Sequence, residues 1–135
     1  MAIGPTEEQI QALVDSPLDT PVVMLNLLKF AFRAGGGADG AEAGRDSYAR
    51  YGERMRSMLE ETGARVLFQG RADSVVIGGD ADDWDAVILV EYPSRKAFLE
   101  MTSSPQYREV SKDRTAGLVD SRLIAMTELY RASDP

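Results

Sequence analysis

Residues Val22–Phe30 (VVMLNLLKF) are apolar on both alternations, interrupted only by Asn26 and Lys29. Side chains along a strand point alternately to its two faces, so such a segment makes a strand only where both faces are covered. A second segment, Trp84 to Tyr92, repeats the pattern. It sets Trp84, Ala86, Ile88, Val90 and Tyr92 on one side, with Val87 and Leu89 between Asp85 and Glu91 on the other. At 135 residues, 44% of them hydrophobic, the chain is sized for a single domain over residues 1–135 with one core. Two strands that need cover on both sides therefore dominate what it can fold into.

The remaining segments supply that cover on one side. Thr6-Glu7-Glu8-Gln9 reads as a capping box opening a short helix, with Ile10, Leu13 and Val14 on one face and Pro17 at its end. Ala31 to Arg45, rich in glycine and alanine, reads as a loop, and without a Gly-Lys-Ser/Thr ending it is no phosphate loop. Asp46 to Thr62 is a helix ended by Gly63, with Tyr48, Tyr51, Met55, Met58, Leu59 and Thr62 along one side. Arg65 to Gly79 reads as a strand with a break near Gly70, and Asp80 to Asp83 as an acidic turn. That turn lacks the central Gly and distal Glu of a calcium loop. Pro93-Ser94 caps a helix that carries Ala97, Phe98 and Met101 inward. Ser104-Pro105 starts the next helix, and Ser121 to Tyr130 is the last strand.

The order is βαββαβ preceded by an extra helix, an α+β arrangement of the ferredoxin-like kind in which helices pack on one face of an antiparallel sheet. The other face stays apolar, and a second copy of the chain is the simplest cover for it. A homodimer is expected.

Composition removes whole classes of chemistry. There is no cysteine and no histidine, so thiolate nucleophiles, imidazole acid–base pairs and His- or Cys-held zinc or haem are excluded. No metal or other cofactor is expected. A net charge of -7 argues against nucleic acid or an anionic membrane as partner. The third strand carries acids where an RNA-recognition sheet shows basic and aromatic residues. Met1 to Pro5 lack the basic and then apolar pattern of a secretory leader, and Pro21 to Phe30 is too short to span a bilayer, so the expected compartment is the cytoplasm.

Several stretches together resemble the family labelled domain of unknown function 1330. They are Pro21 to Phe30, Trp84-Asp85, Tyr92-Pro93-Ser94, Ser104-Pro105-Gln106-Tyr107, Arg114 and Asp120-Ser121-Arg122-Leu123. The resemblance runs over nearly the whole chain. It implies the dimeric α/β-barrel superfamily, where two ferredoxin-like sheets face each other. That superfamily also holds cofactor-free monooxygenases, lactone isomerases and haem-degrading enzymes, so it implies a fold rather than a reaction. Relatives of this type often carry a histidine just before the arginine matching Arg114, whereas this chain has Asp113. A mechanism resting on that histidine does not carry over, and the haem-degrading branch, which needs an axial histidine, is excluded.

Arg114 is the leading site residue. Tyr107, Val110 and Arg114 are spaced i, i+3, i+7, which sets a guanidinium on the face of two apolar anchors. An inward arginine needs a carboxylate, for which Asp85, Glu91 and Asp120 are the candidates, or an anionic ligand. Asn26, an amide within an apolar strand, must bond a neighbour or point into a pocket. Asn26, Arg114 and Tyr107 are the candidates for a catalytic role. By analogy with superfamily members that hold aromatic substrates, Tyr48, Tyr51 and Trp84 join them as ligand-binding candidates. Two readings stand: a cofactor-independent oxygenase- or isomerase-like enzyme acting on a small carboxylate or aromatic compound between sheet and helices, and a non-catalytic ligand-binding or structural homodimer.

Overall fold

The computed structural model describes residues 2–36 and 43–133. Its elements run α1 (Glu7–Val14), β1 (Val22–Phe30), α2 (Gly44–Thr62), β2 (Arg65–Arg71), β3 (Ala86–Tyr92), α3 (Arg95–Thr102), α4 (Pro105–Gly117) and β4 (Leu118–Met126). Short 3-10 turns lie at Ala34–Gly36 and Asp80–Asp82. The strands form one antiparallel sheet in the order β2-β3-β1-β4, with the two apolar strands at the centre. This is the ferredoxin-like arrangement, with α1 added and the second crossover split into α3 and α4.

Local chemistry sets the helix ends. Thr6 and Gln9 close the capping box of α1, and Ser94 and Ser104 accept from Ala97 and Tyr107 N–H groups to start α3 and α4. Gly63, at φ 80°, ends α2 in the left-handed region where a side chain would be strained.

Several boundaries differ from expectation, each because pairing rather than composition decides where a strand stops. β2 ends at Arg71 instead of reaching Gly79, because its partner β3 begins only at Ala86. β3 in turn starts two residues late, since the Asp85 carboxylate is drawn to the Phe30 N–H. The irregularity in β2 lies between Val66 and Phe68, not at Gly70. Gly70 instead leaves room for the Phe68 ring, which a Cβ there would meet at 2.8 Å. β4 spans Leu118–Met126 rather than Ser121 to Tyr130. Its partner β1 pairs as far as Val23↔Met126, and the preceding Pro21 has no N–H to extend the ladder. Of the glycine-rich connection, residues 37–42 lie outside the described residues, and α2 begins at Gly44, two residues before Asp46.

The registers assign the faces. Val22, Met24 and Leu28 of β1, with Val90 and Tyr92 of β3, point to the helices and bury against Met55, Met58, Phe98, Met101 and Val110. On the opposite face a row crosses all four strands, Phe68↔Leu89↔Leu25↔Ile124. Leu25 and Leu89 are half-buried, while Phe68 and Ile124 are exposed. Charges bound this apolar strip. Arg65 and Arg131 bracket Glu91 at one end, and Lys29–Asp83 and Arg122–Asp120 sit at the other.

Candidate functional site

Arg114 lies near the end of α4, and its guanidinium reaches back over the helix-facing side of β4. Nη1 donates to the Ile3 carbonyl at 2.6 Å, and Nη2 donates to Ser121 Oγ at 3.4 Å. Ser121 is buried and sits opposite Leu28, on the same face as Asn26 two residues along β1. None of the expected acids pairs with Arg114. Asp85 accepts from the Phe30 N–H, Glu91 is held by Arg65 and Arg131, and Asp120 faces other donors. The salt-bridge alternative is overturned: among the described residues Arg114 meets only neutral oxygens, unusual for a half-buried cation.

Asp113, the residue before Arg114, turns away from this place. Its two oxygens take Arg50 at 3.3 Å and Arg54 at 3.1 Å, and its backbone carbonyl accepts from Ser47. It clamps α4 to α2 and is committed as an ion-pair partner.

The tyrosines assemble as the stripe implied. Tyr48 and Tyr51 stand 5.2 Å apart by ring centroid, Tyr51 and Tyr107 6.4 Å, and the last two hydroxyls meet at 3.3 Å. Burial pushes the Tyr48 hydroxyl up to about 12, against the opposing pull of the Arg114 charge. Burial, then the Tyr107 hydroxyl, raises Tyr51 well above its ordinary value. Both remain neutral phenols near pH 7, able to donate a hydrogen bond but not to act as bases.

Asn26 uses its amide nitrogen inward, donating to the Ile88 carbonyl at 3.2 Å and the Met24 carbonyl at 3.4 Å. No donor among the described residues reaches its Oδ1. Trp84 does not join this group. Its ring lies 5.1 Å from the Arg122 guanidinium, beside a hollow of about 360 Å³ lined also by Lys29, Asp83 and Asp120. By register Lys29 and Asp120 belong to the opposite face of the sheet. A second hollow, of about 390 Å³, lies between α2 and α3, and neither includes Arg114 or Asn26.

Sequence reading missed Ser121 and the segment Ala2–Ile3. Ser121 Oγ donates to the Ala2 carbonyl at 2.8 Å, and the Ala2 N–H donates to Asp120 Oδ1 at 2.8 Å. Asp120 Oδ1 also accepts from the Ser121 N–H and Arg122. These bonds, the one from Ala2 foremost, hold its carboxyl at about 2 instead of 3.8. A carboxyl held low stabilises the folded arrangement fully above its ordinary value and loses that contribution as the pH falls through the lower one. The Ser121 amide proton is therefore expected to titrate with a midpoint near 2, followed by NMR in acid. A midpoint at 3.8 would contradict the arrangement.

A family profile described as Domain of unknown function (DUF1330) matches residues 43–128. The chain belongs to the DUF1330 family. Pro21 to Phe30 falls outside the matched span, although it contributed to the resemblance seen in the sequence. A solved structure, that of the RPA0582 protein of unknown function from Rhodopseudomonas palustris, is 36% identical. The alignment covers 96% of this chain and 98% of that one, with a TM-score of 0.87. A putative antibiotic biosynthesis monooxygenase from Bacteroides thetaiotaomicron is 17% identical over 86% of this chain and 96% of its own, with a TM-score of 0.55. A dimeric protein of unknown function with a ferredoxin-like fold, from Bacteroides fragilis, is 9% identical over 82% and 98%, with a TM-score of 0.51. The last two share the fold alone. No curated protein is significantly similar to this DUF1330 chain. Among its described residues no helix is long and apolar enough to cross a membrane.

Proposed function

We propose that this DUF1330 protein is a homodimeric binding protein for a small carboxylate or enolate, carried on a short or aromatic skeleton and held by Arg114. The observation that carries the reading is a half-buried guanidinium whose described partners are two neutral oxygens, Ile3 O and Ser121 Oγ. A carboxylate would form a charge-assisted pair there, stronger than either neutral contact. Among the described residues no donor reaches Asn26 Oδ1, which leaves it to accept from a hydroxyl on the ligand's skeleton, and the rings of Tyr48, Tyr51 and Tyr107 frame an aromatic wall. Dimerisation uses the sheet face opposite the helices, whose apolar row and charged ends have the centre-and-rim composition of a protein interface.

The enzymatic version, a cofactor-independent oxygenase or isomerase, would use Arg114 to hold an enolate and Asn26 Oδ1 to orient the ligand through a hydroxyl on its skeleton, the Asn26 amide nitrogen being given to the Ile88 and Met24 carbonyls. It also needs a proton acceptor. Asp113 is spent on Arg50 and Arg54, and Tyr48 and Tyr51 stay protonated, which favours binding over proton transfer by the chain itself. The test is a calorimetric titration with benzoate and short aliphatic carboxylates. Arg114→Ala is expected to weaken binding about 10- to 100-fold, the scale of one charge-assisted bond, while the melting temperature holds because no acid is left stranded. Equal affinity in both proteins would refute the anchor. A large fall in melting temperature with no carboxylate binding in either protein would support a purely structural homodimer.

A further inference from the structure

The donors that would greet a carboxylate are already occupied by the protein's own backbone. Arg114 Nη1 donates to the Ile3 carbonyl and Ser121 Oγ to the Ala2 carbonyl, so two successive peptide oxygens fill the places of two ligand oxygens. The segment is held mainly by these bonds and by the Ala2 N–H on Asp120, rather than by burial: Ala2 is exposed and Ile3 only half-buried. The capping box fixes the chain from Thr6 onward, and a Cβ at Gly4 would meet nothing within 4 Å. The chain between Ile3 and Thr6 is thus free of packing that would oppose a swing.

We infer that Ala2–Ile3 is a tethered occupant of the Arg114 site, a strap that a carboxylate ligand must displace to bind. The inference rests on the reading of Arg114 as a carboxylate anchor and adds how access to it is set. A neutral carbonyl is the weaker partner for a guanidinium, so a charged ligand prevails when present. The tether keeps the carbonyl at high local concentration, so the site refuses weakly interacting solutes. The apparent dissociation constant of a true ligand rises by the reciprocal of the fraction of molecules with the strap up.

The test uses the full chain, uniformly labelled with nitrogen-15, titrated with sodium benzoate and followed by NMR. The Arg114 side-chain and Ser121 amide signals are expected to shift with benzoate, and the Ile3 amide to move toward its unstructured value with the same midpoint. A strap variant carrying Ala2→Pro, which lacks the N–H that Asp120 accepts, together with Ile3→Gly is expected to bind benzoate about tenfold more tightly. If Arg114 responds to benzoate while Ile3 stays in place and the variant has an unchanged midpoint, the strap inference is wrong and the anchor reading survives. If Arg114 responds in neither protein, the anchor reading falls and takes the strap with it.

Discussion

Replacing Gly117 with alanine is expected to cost about 3 kcal/mol or more, the upper range for forcing atoms into a packed core, and to lower the melting temperature by roughly 10–15 °C. Gly117 is the last residue of α4 and lies against the first turn of α2. A Cβ there would stand 2.6 Å from the Gly44 carbonyl oxygen, 2.9 Å from the Tyr48 nitrogen and 3.1 Å from the Tyr48 Cβ. Two of these atoms are backbone, so no rotamer change relieves the clash and the two helices must separate. Gly44 faces the same difficulty, since its Cβ would fall on the Ala31 carbonyl. Gly52, in the middle of α2, is the internal control: a Cβ there meets nothing within 4 Å. Gly52→Ala is expected to raise stability by about 1 kcal/mol, because alanine is the better helix former. Thermal melts of the two variants, moving in opposite directions, check the argument. A Gly117→Ala protein melting within about 2 °C of the parent would refute it.

Leu89→Glu is expected to raise the dissociation constant of the proposed dimer at least a thousandfold. Leu89 stands in the row Phe68↔Leu89↔Leu25↔Ile124, on the face turned away from the helices. Between two such sheets a carboxylate would lose its water without gaining a partner, a penalty of several kcal/mol, and each 1.4 kcal/mol is about tenfold in affinity. Because the residue points away from the helical core, the isolated subunit should keep its fold. Analytical ultracentrifugation at micromolar concentration distinguishes the outcomes: a dimer for the parent and a folded monomer for the variant. A variant that sediments as the parent does would exclude this face as the interface.

The centre of the fold was legible because β1 and β3 are apolar on both alternations, a property few other elements share. Helix α2 was equally open, its stripe from Tyr48 to Met58 matching the side that is buried. Edge strands were harder. The lengths of β2 and β4 depend on where Ala86 and Pro21 stop the neighbouring ladder, which no local pattern in those strands records. Trp84 continues the alternation of Ile88 and Val90 on paper, but the strand begins at Ala86 and the ring goes to Arg122 instead. The spacing of Tyr107, Val110 and Arg114 placed the guanidinium on the inward face. Its partners escaped notice because one is a backbone carbonyl 111 residues away, and a carbonyl has no residue type to read.

Helix α4 passes into β4 with no intervening residue, Gly117 closing one and Leu118 opening the other. This seam is intolerant of insertions and deletions. One added residue would either swing Arg114 through about 100° around the helix axis or turn Ser121 to the opposite face of the sheet. The two side chains are thus locked in phase like gear teeth cut on a single shaft, seven positions apart. Length variation among related chains is expected to collect elsewhere, as in the stretch between Arg71 and Ala86, where no such phase has to be kept.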